Sequence, residues 1–427
     1  MSKKYKALFI GYNDNKLYGH AYYAYSSFSD ELFEKKLVVV YPSSEDRQYC
    51  IKRSPLRLNA FSRALRHLLR AVKSFFKYGH FPIIDYTNAG YRFYDFEAER
   101  LPLKIFNEKI GPFRPDIILF YWTDGRISSS VIKELADFYK CMVSLVFVDQ
   151  QYITGGCHFP TDCNNHRSGC KLCPALKTGK KIASIQYAEK KNNFTPLKKI
   201  IIAPPADLQM AKESDLLGAP IAYVNWVLNP DVHFYSRVES RMFLKIPKDS
   251  FVVMIGAASL SDKRKGIKYA IDAINLVSDK INNVTLICVG NSTNQISINN
   301  NINVVYTGWL SRNDLFKAFC ASDCFISSSL ADSGPIMVNY AVALGVPVIS
   351  FNIGTAVALV EHKKTGYIAK YRDYEDIANG ICFIYNLSGK EKEEFSGRAK
   401  ELIKNKSSVR VDEELYRILQ ESEDGII

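Results

Sequence analysis

No run of about 18 consecutive apolar residues occurs anywhere in the 427-residue chain, so the sequence offers no candidate for a membrane-spanning helix. Acidic residues are also scarce relative to basic ones, 44 against 56. The resulting net charge of +12 points to an anionic partner: nucleic acid, acidic lipid or a phosphorylated substrate. Nucleic acid is not the expected partner, because no recognised nucleic-acid-binding module is present. Nor is there the paired cysteine framework of a disulfide-stapled secreted domain. Of ten cysteines, Cys50, Cys141, Cys288, Cys320, Cys324 and Cys382 stand singly among apolar neighbours, as inert buried thiols do. Internal repeats and low-complexity tracts are lacking as well. The opening MSKKYKALFIGYN has only a short apolar run after its lysines, which reads as a first strand and not as a secretory signal. A cytoplasmic location is the expectation, with peripheral attachment to the inner face of the cell membrane as an option.

What is present is a regular alternation. Short apolar runs at Ala7 to Ile10, Leu37 to Tyr41, Ile117 to Tyr121, Met142 to Val148 and Ile200 to Ile202 are separated by helical patterns. The series resumes with Phe251 to Ile255, Val284 to Val289, Asn303 to Tyr306, Cys324 to Ser327 and Val346 to Ser350. Strands of this kind belong to parallel sheets covered on both faces. Between the two series lies Val224-Asn225-Trp226-Val227-Leu228-Asn229-Pro230, an irregular polar segment. The expected fold is α/β, with two Rossmann-like doubly wound parallel-sheet domains over residues 1–225 and 226–427. The last helix is a candidate to pack back on the first domain.

Residues Leu56 to Tyr78 form a distinct stretch. Leu58, Phe61, Leu65, Leu68, Leu69, Val72, Phe75 and Phe76 fall at helical spacing, with Arg57, Arg63, Arg66, Arg70, Lys73 and Lys77 between them. Two readings stay open for this basic amphipathic helix: a core-facing helix with a charged outer side, or one lying on an anionic membrane surface.

The chemistry-bearing residues cluster at strand ends. Ser261-Asp262-Lys263-Arg264-Lys265-Gly266 follows one strand and opens a helix, an arrangement suited to phosphate binding or to a solvated turn. Val289-Gly290-Asn291, Gly308-Trp309 and Ser327 to Pro335 end three further strands. In doubly wound sheets that edge is where ligands bind.

Lys263-Arg264-Lys265-Gly266, Gly308-Trp309 and Asp332-Ser333-Gly334-Pro335 through Asn339, with Ala341-Val342-Ala343-Leu344-Gly345-Val346-Pro347-Val348, resemble the donor domain of family-four retaining glycosyltransferases over residues 250 to 380. The resemblance implies a GT-B fold, whose two domains face a cleft and whose second domain holds a nucleotide-diphosphate sugar. It implies a donor site of Lys263, Arg264, Lys265, Gly308, Trp309, Gly334, Pro335 and Tyr340, with Lys265 stabilising the diphosphate and no catalytic metal required. The family's pair of glutamates would fall at Asp332, which keeps a carboxylate, and at Tyr340, which does not.

A second signature is Thr154-Gly155-Gly156-Cys157-His158-Phe159, then Cys163, then Gly169-Cys170-Lys171-Leu172-Cys173-Pro174. This loop, 154–174, resembles that of a subgroup found in polysaccharide gene clusters. Cys157, Cys163, Cys170 and Cys173 would suit a structural zinc, with His158 or His166 as a substitute ligand. Reduced thiols packing a loop and a disulfide pair stay open beside it. The subgroup carries His-Asp before this loop, whereas the chain has Val148-Asp149; Asp149 is retained and His158 is the nearest imidazole. Gly19-His20 opens a helix where the resembling enzymes present a loop to the donor, so Gly19 is a donor-binding candidate and His20 either a base or a surface residue.

The resulting expectation is a retaining hexosyltransferase acting on a saccharide or polyprenyl-linked acceptor in surface polysaccharide or lipopolysaccharide assembly, with Lys265, Asp332 and Asp149 at the chemistry. The alternative is a catalytically impaired partner subunit of the same assembly, favoured by Val148 and Tyr340.

Overall fold

The computed structural model describes residues 3–13, 20–41, 91–94, 102–123, 127–177, 181–228, 230–291, 297–407 and 410–426. Gly19 and the basic stretch 56–78 lie outside them. The chain divides into two compact units. One comprises residues 1–203, 207–225 and 410–427, the other 204–206 and 226–409.

The first unit is built on a six-stranded parallel sheet. Its strands are β1 (Tyr5–Asn13), β2 (Phe33–Tyr41), β3 (Ile117–Tyr121), β4 (Met142–Val146), β5 (Lys199–Ala203) and β6 (Ala222–Asn225), in the order β2-β1-β3-β4-β5-β6. Around it run α1 (His20–Ser27), α2 (Leu103–Ile110), α3 (Ser129–Tyr139), α4 (Lys181–Phe194) and α5 (Pro205–Glu213). β3 is buried at every position, which is why it reads as an unbroken apolar run and not as an alternating one. On one face Leu8, Ile118, Phe120 and Leu145 pack with Phe106 of α2 and Val131 and Leu135 of α3.

The second unit repeats the plan with β7 (Phe251–Ser259), β8 (Val284–Asn291), β9 (Asn303–Gly308), β10 (Cys324–Ser327), β11 (Val348–Phe351) and β12 (Gly366–Ala369), ordered β12-β11-β10-β7-β8-β9 and again all parallel. Its helices are α6 (Arg237–Phe243), α7 (Ile267–Val277), α8 (Arg312–Ala321), α9 (Ile336–Leu344), α10 (Ala356–Leu359), α11 (Tyr374–Tyr385) and α12 (Gly389–Lys406). Successive residues of β7 serve opposite layers. Val253 and Ile255 pack with Ile271 and Ile274 of α7 and Ile377 and Ile381 of α11. Val252 and Met254 pack with Phe316 and Phe319 of α8 and Val338 and Val342 of α9. Each such side chain contributes about 1.5–3 kcal/mol on leaving water, so covering both faces doubles what the strand can contribute.

The terminal helix α13 (Val411–Glu423) belongs to the first unit. The Ser29 N–H donates to Asp412 Oδ2 at 2.8 Å, the Tyr5 hydroxyl donates to Glu423 Oε2 at 3.0 Å, and the Tyr416 ring meets that of Tyr5 edge-on at 5.4 Å.

Two strands, β6 and β12, lie outside the apolar runs read from the sequence. Each is a four-residue edge strand with one neighbour, and Ala222-Tyr223-Val224-Asn225 mixes polar and apolar residues accordingly. Val224 and Asn225, read as the start of an irregular segment, are the last residues of β6.

Candidate functional site

In the second unit, β7 leads into a single 3-10 turn, Lys263–Lys265, and then through Gly266 into α7. Asp262 starts the turn by accepting the Arg264 N–H at 2.9 Å. Gly266 sits at φ 59°, and a Cβ there would lie 2.0 Å from the Ser328 carbonyl oxygen; only glycine lets the turn reach the loop after β10. The two segments are then joined by backbone: the Leu330 N–H donates to the Arg264 carbonyl at 2.7 Å, and the Ser328 hydroxyl to that of Lys265 at 3.3 Å.

This scaffold brings two consecutive cations to a carboxylate distant in sequence. Lys265 Nζ and Arg264 Nη1 both pair with Asp332 Oδ2, Arg264 at 3.2 Å, and Arg264 Nη1 also donates to the Ala331 carbonyl at 2.9 Å. Burial alone would push the Asp332 carboxyl up. The charges and hydrogen bonds of Lys265 and Arg264 outweigh it and hold the group below the usual carboxylate range. A carboxylate depressed in this way is ionised at neutral pH, and the stability it brings is lost only as pH falls through its folded value. Lys263, by contrast, is exposed and takes no part in this cluster. The arrangement can present two positioned cations to an anion at the carboxyl edge of β7 and β10, with the carboxylate of Asp332 beside both and that of Asp262 3.4 Å from Arg264 Nη2.

Trp309 follows β9 with its indole 53% exposed, after Gly308 at φ 63°. Gly334 and Pro335 lead into α9, whose first-turn N–H groups carry no side-chain cap. Tyr340 lies on α9. Its ring packs edge-on against Phe316 at 5.2 Å and leans on Phe319 at 6.4 Å, because its face of α9 is turned to α8, where an aromatic ring gains by burial. The fully buried neighbour Asn339, which sequence reasoning passed over, donates to the Leu228 carbonyl at 2.6 Å and accepts from Thr355 Oγ1 at 3.1 Å. Polar residues buried in an apolar helix are the only sequence signal for it.

In the first unit, Asp149 follows β4 and is fully buried. Its Oδ1 accepts the Gln151 N–H at 3.1 Å, and its Oδ2 lies 2.7 Å from His158 Nδ1. The intervening residues turn back through a 3-10 turn, Gln151–Ile153, whose carbonyls are held by the buried Lys190. Its ammonium donates to Gln151 O at 2.7 Å and Thr154 O at 2.9 Å. His20, at the start of α1, is exposed. Loss of solvation lowers its pKa, and the charge of Asp149 offsets part of the shift.

Cys157, Cys163, Cys170 and Cys173 line one small pocket together with His166, and no disulfide joins any of them. The thiols are engaged locally. Cys157 hydrogen-bonds Cys173, Cys170 Sγ accepts the Gly155 N–H at 3.1 Å, and Cys163 Sγ that of Asn165 at 3.4 Å. Among the described residues no three His, Cys, Asp or Glu side chains are placed to hold a metal ion. Burial pushes the Cys170 thiol up to about 12, and the bond to Cys173, followed by burial, raises that of Cys157 well above its usual value. The thiolate is the reactive form. Iodoacetamide at neutral pH is therefore expected to modify half-exposed Cys163 first and to leave Cys157, Cys170 and Cys173 unmodified until the protein unfolds, as read by peptide mass spectrometry. Protection abolished by a strong zinc chelator would assign the shielding to a metal instead of to burial.

Against known proteins, a sequence model of the family described as Glycosyl transferases group 1 matches residues 250–386, the stretch holding Arg264, Lys265, Asp332 and Tyr340. The chain is 27% identical over 113 residues to an "Uncharacterized 41.2 kDa protein in cps region" of Klebsiella pneumoniae, covering 26% of this chain and 31% of that protein. It is 29% identical over 75 residues to an "Uncharacterized glycosyltransferase" of Haemophilus influenzae, covering 17% of this chain and 21% of that protein. The chain thus spans less than a third of either curated relative. Among solved structures, sucrose-phosphate synthase from Thermosynechococcus elongatus superposes with a TM-score of 0.61 at 15% identity, covering 94% of both chains. A glycosyltransferase from Rickettsia africae gives 0.61 at 14%, covering 98% of this chain and 99% of the other. HepE of Anabaena, solved in complex with UDP-glucose, gives 0.57 at 15%, covering 99% and 100%. Identities this low speak for fold alone. The chain has the two-sheet GT-B fold, and residues 250–386 of its second unit match the glycosyl transferases group 1 model.

Proposed function

We propose that the protein is a retaining glycosyltransferase that moves a sugar from a nucleotide-diphosphate sugar to a saccharide or polyprenyl-linked acceptor in surface polysaccharide assembly. The observation that carries this reading is the Lys265–Arg264–Asp332 cluster, built within the group 1 domain at the carboxyl edge of its sheet. In the reaction the bond from the anomeric carbon to the diphosphate oxygen breaks and a bond to the acceptor hydroxyl oxygen forms. The hydroxyl proton passes to the departing diphosphate. Lys265 and Arg264 neutralise the charge that develops on that oxygen, and Asp332 orients the donor sugar. No metal is needed where two cations already face the leaving group.

UDP-glucose bound to HepE makes UDP-sugars the first donors to try, and the cps region of the Klebsiella relative supports surface polysaccharide as the pathway. A second reading, an impaired partner subunit, is favoured by the Tyr340 ring being packed against Phe316 and by Val148 where the resembling enzymes carry histidine.

Calorimetric titration with UDP-, GDP- and dTDP-sugars tests the choice. Saturable binding of one nucleotide series supports the transferase, and failure of all three leaves the second reading.

A further inference from the structure

The sequence lacks a histidine at Val148, yet the structure supplies an imidazole beside the retained carboxylate by another route. His158 is nine positions further along the chain, and the 3-10 turn stapled by Lys190 returns it to Asp149. Its backbone is fixed from two sides: the His158 N–H donates to the Arg92 carbonyl at 2.9 Å, and the Gln150 N–H donates to the His158 carbonyl at 3.0 Å. The ring is held between Phe159, edge-on at 4.4 Å, and Tyr94, edge-on at 5.7 Å, whose hydroxyl lies 3.3 Å from Nδ1.

An ionised carboxylate can only accept hydrogen bonds, so the 2.7 Å contact requires that Nδ1 carry the hydrogen. In the neutral ring Nε2 is then left with its lone pair. The side chain of Asp149 is 1% exposed, while that of His158 keeps 14% of its surface in solvent. A buried carboxylate that orients an imidazole, whose opposite nitrogen remains a single directional acceptor, is a costly arrangement for packing alone. Beside it, Gln151 Nε2 is buried with no hydrogen-bond partner among the described residues, and the other end of the same amide accepts from Thr123 Oγ1 at 3.5 Å.

We infer that His158, held in its Nδ1–H form by Asp149, binds a saccharide hydroxyl on the first unit by accepting its hydrogen bond at Nε2. Asp149 acts through His158 and is a positioning residue. The inference rests on the sugar-transfer reading.

Two measurements test it on the full-length protein. Nitrogen-15 spectra of histidine-labelled wild type, with the His158 signal assigned by its absence in His158→Gln, are expected to show the Nδ1–H form. The Asp149→Asn spectrum is expected to lose it, because an amide can present N–H to Nδ1 and reverse the tautomer. In kinetics, read as nucleoside diphosphate released from whichever nucleotide sugar binds, His158→Gln keeps a donor for Asp149 but alters the acceptor at Nε2. It is expected to lower kcat/KM for the acceptor about 10–100-fold, the worth of one well-placed hydrogen bond to a substrate hydroxyl, with donor affinity unchanged. A wild-type spectrum in the Nε2–H form overturns the inference whatever the activity. Transfer by His158→Gln within twofold of wild type overturns it while leaving the sugar-transfer reading intact. A wild type that binds no nucleotide sugar overturns that reading instead, and the tautomer still decides whether Asp149 sets the ring.

Discussion

Replacing Lys265 by alanine is expected to lower sugar transfer by about 10²–10³-fold while leaving the fold in place. The magnitude follows from removing one positioned charge that stabilises a leaving group inside a structured site. The fold survives because the two partners of Asp332 are not equivalent. With Lys265 gone, Arg264 remains bonded to the carboxylate at 3.2 Å and to the Ala331 carbonyl at 2.9 Å, so Asp332 keeps a counter-charge. The backbone bond from Leu330 to Arg264 and the conformation of Gly266 are independent of the Lys265 side chain. Kinetic assay beside thermal denaturation checks this prediction. A melting temperature close to wild type with transfer reduced on that scale is the expected pair of results. Unimpaired transfer would remove Lys265 from the mechanism.

Asp332→Asn is expected to move binding and turnover in opposite directions. In the unliganded protein Asp332 neutralises part of the positive charge of Lys265 and Arg264 that the diphosphate would use, and the carboxylate is ionised at neutral pH. Asparagine keeps the shape and removes the competing charge. Affinity for the nucleoside diphosphate alone should rise about tenfold, equivalent to about 1.4 kcal/mol, a cautious fraction of the unscreened Coulomb energy for so close a pair. Transfer should fall about 100-fold, because the neutral amide of the variant cannot hold the donor sugar with a charged acceptor. Titration with nucleoside diphosphate beside a transfer assay separates the two effects. Weaker diphosphate binding in the variant would show that Asp332 holds the basic turn in place more than it competes for it.

The sheets were legible because parallel strands buried on both faces carry unbroken apolar runs: Ile117 to Tyr121 and Cys324 to Ser327 coincide with β3 and β10. β6 and β12 left no such trace, since each is only four residues long and breaks its apolar run, with Asn225 at the end of β6 and Gly366 at the start of β12. Lys265 and Asp332 were each recognisable as strand-end residues, but their contact depends on β10 lying beside β7, a fact of sheet order that a separation of 67 positions does not reveal. The pairing of Asp149 with His158 was hidden for a different reason. It depends on a turn closed by Lys190 from α4, and no local spacing encodes that contact. The packing of Tyr340 was not legible either. Its position along α9 is set by the chain, whereas the aromatic rings of α8 decide how its own ring packs.

The most direct test of sugar-nucleotide transfer is a calorimetric titration of UDP-glucose, GDP-mannose and dTDP-glucose into wild type and Lys265→Ala. The account predicts saturable binding of one nucleotide series by wild type and at least about tenfold weaker binding of the same series by the variant, consistent with the loss of one charge-assisted contact to phosphate. Equal affinity in the two proteins, or no binding of any series to wild type, would contradict it.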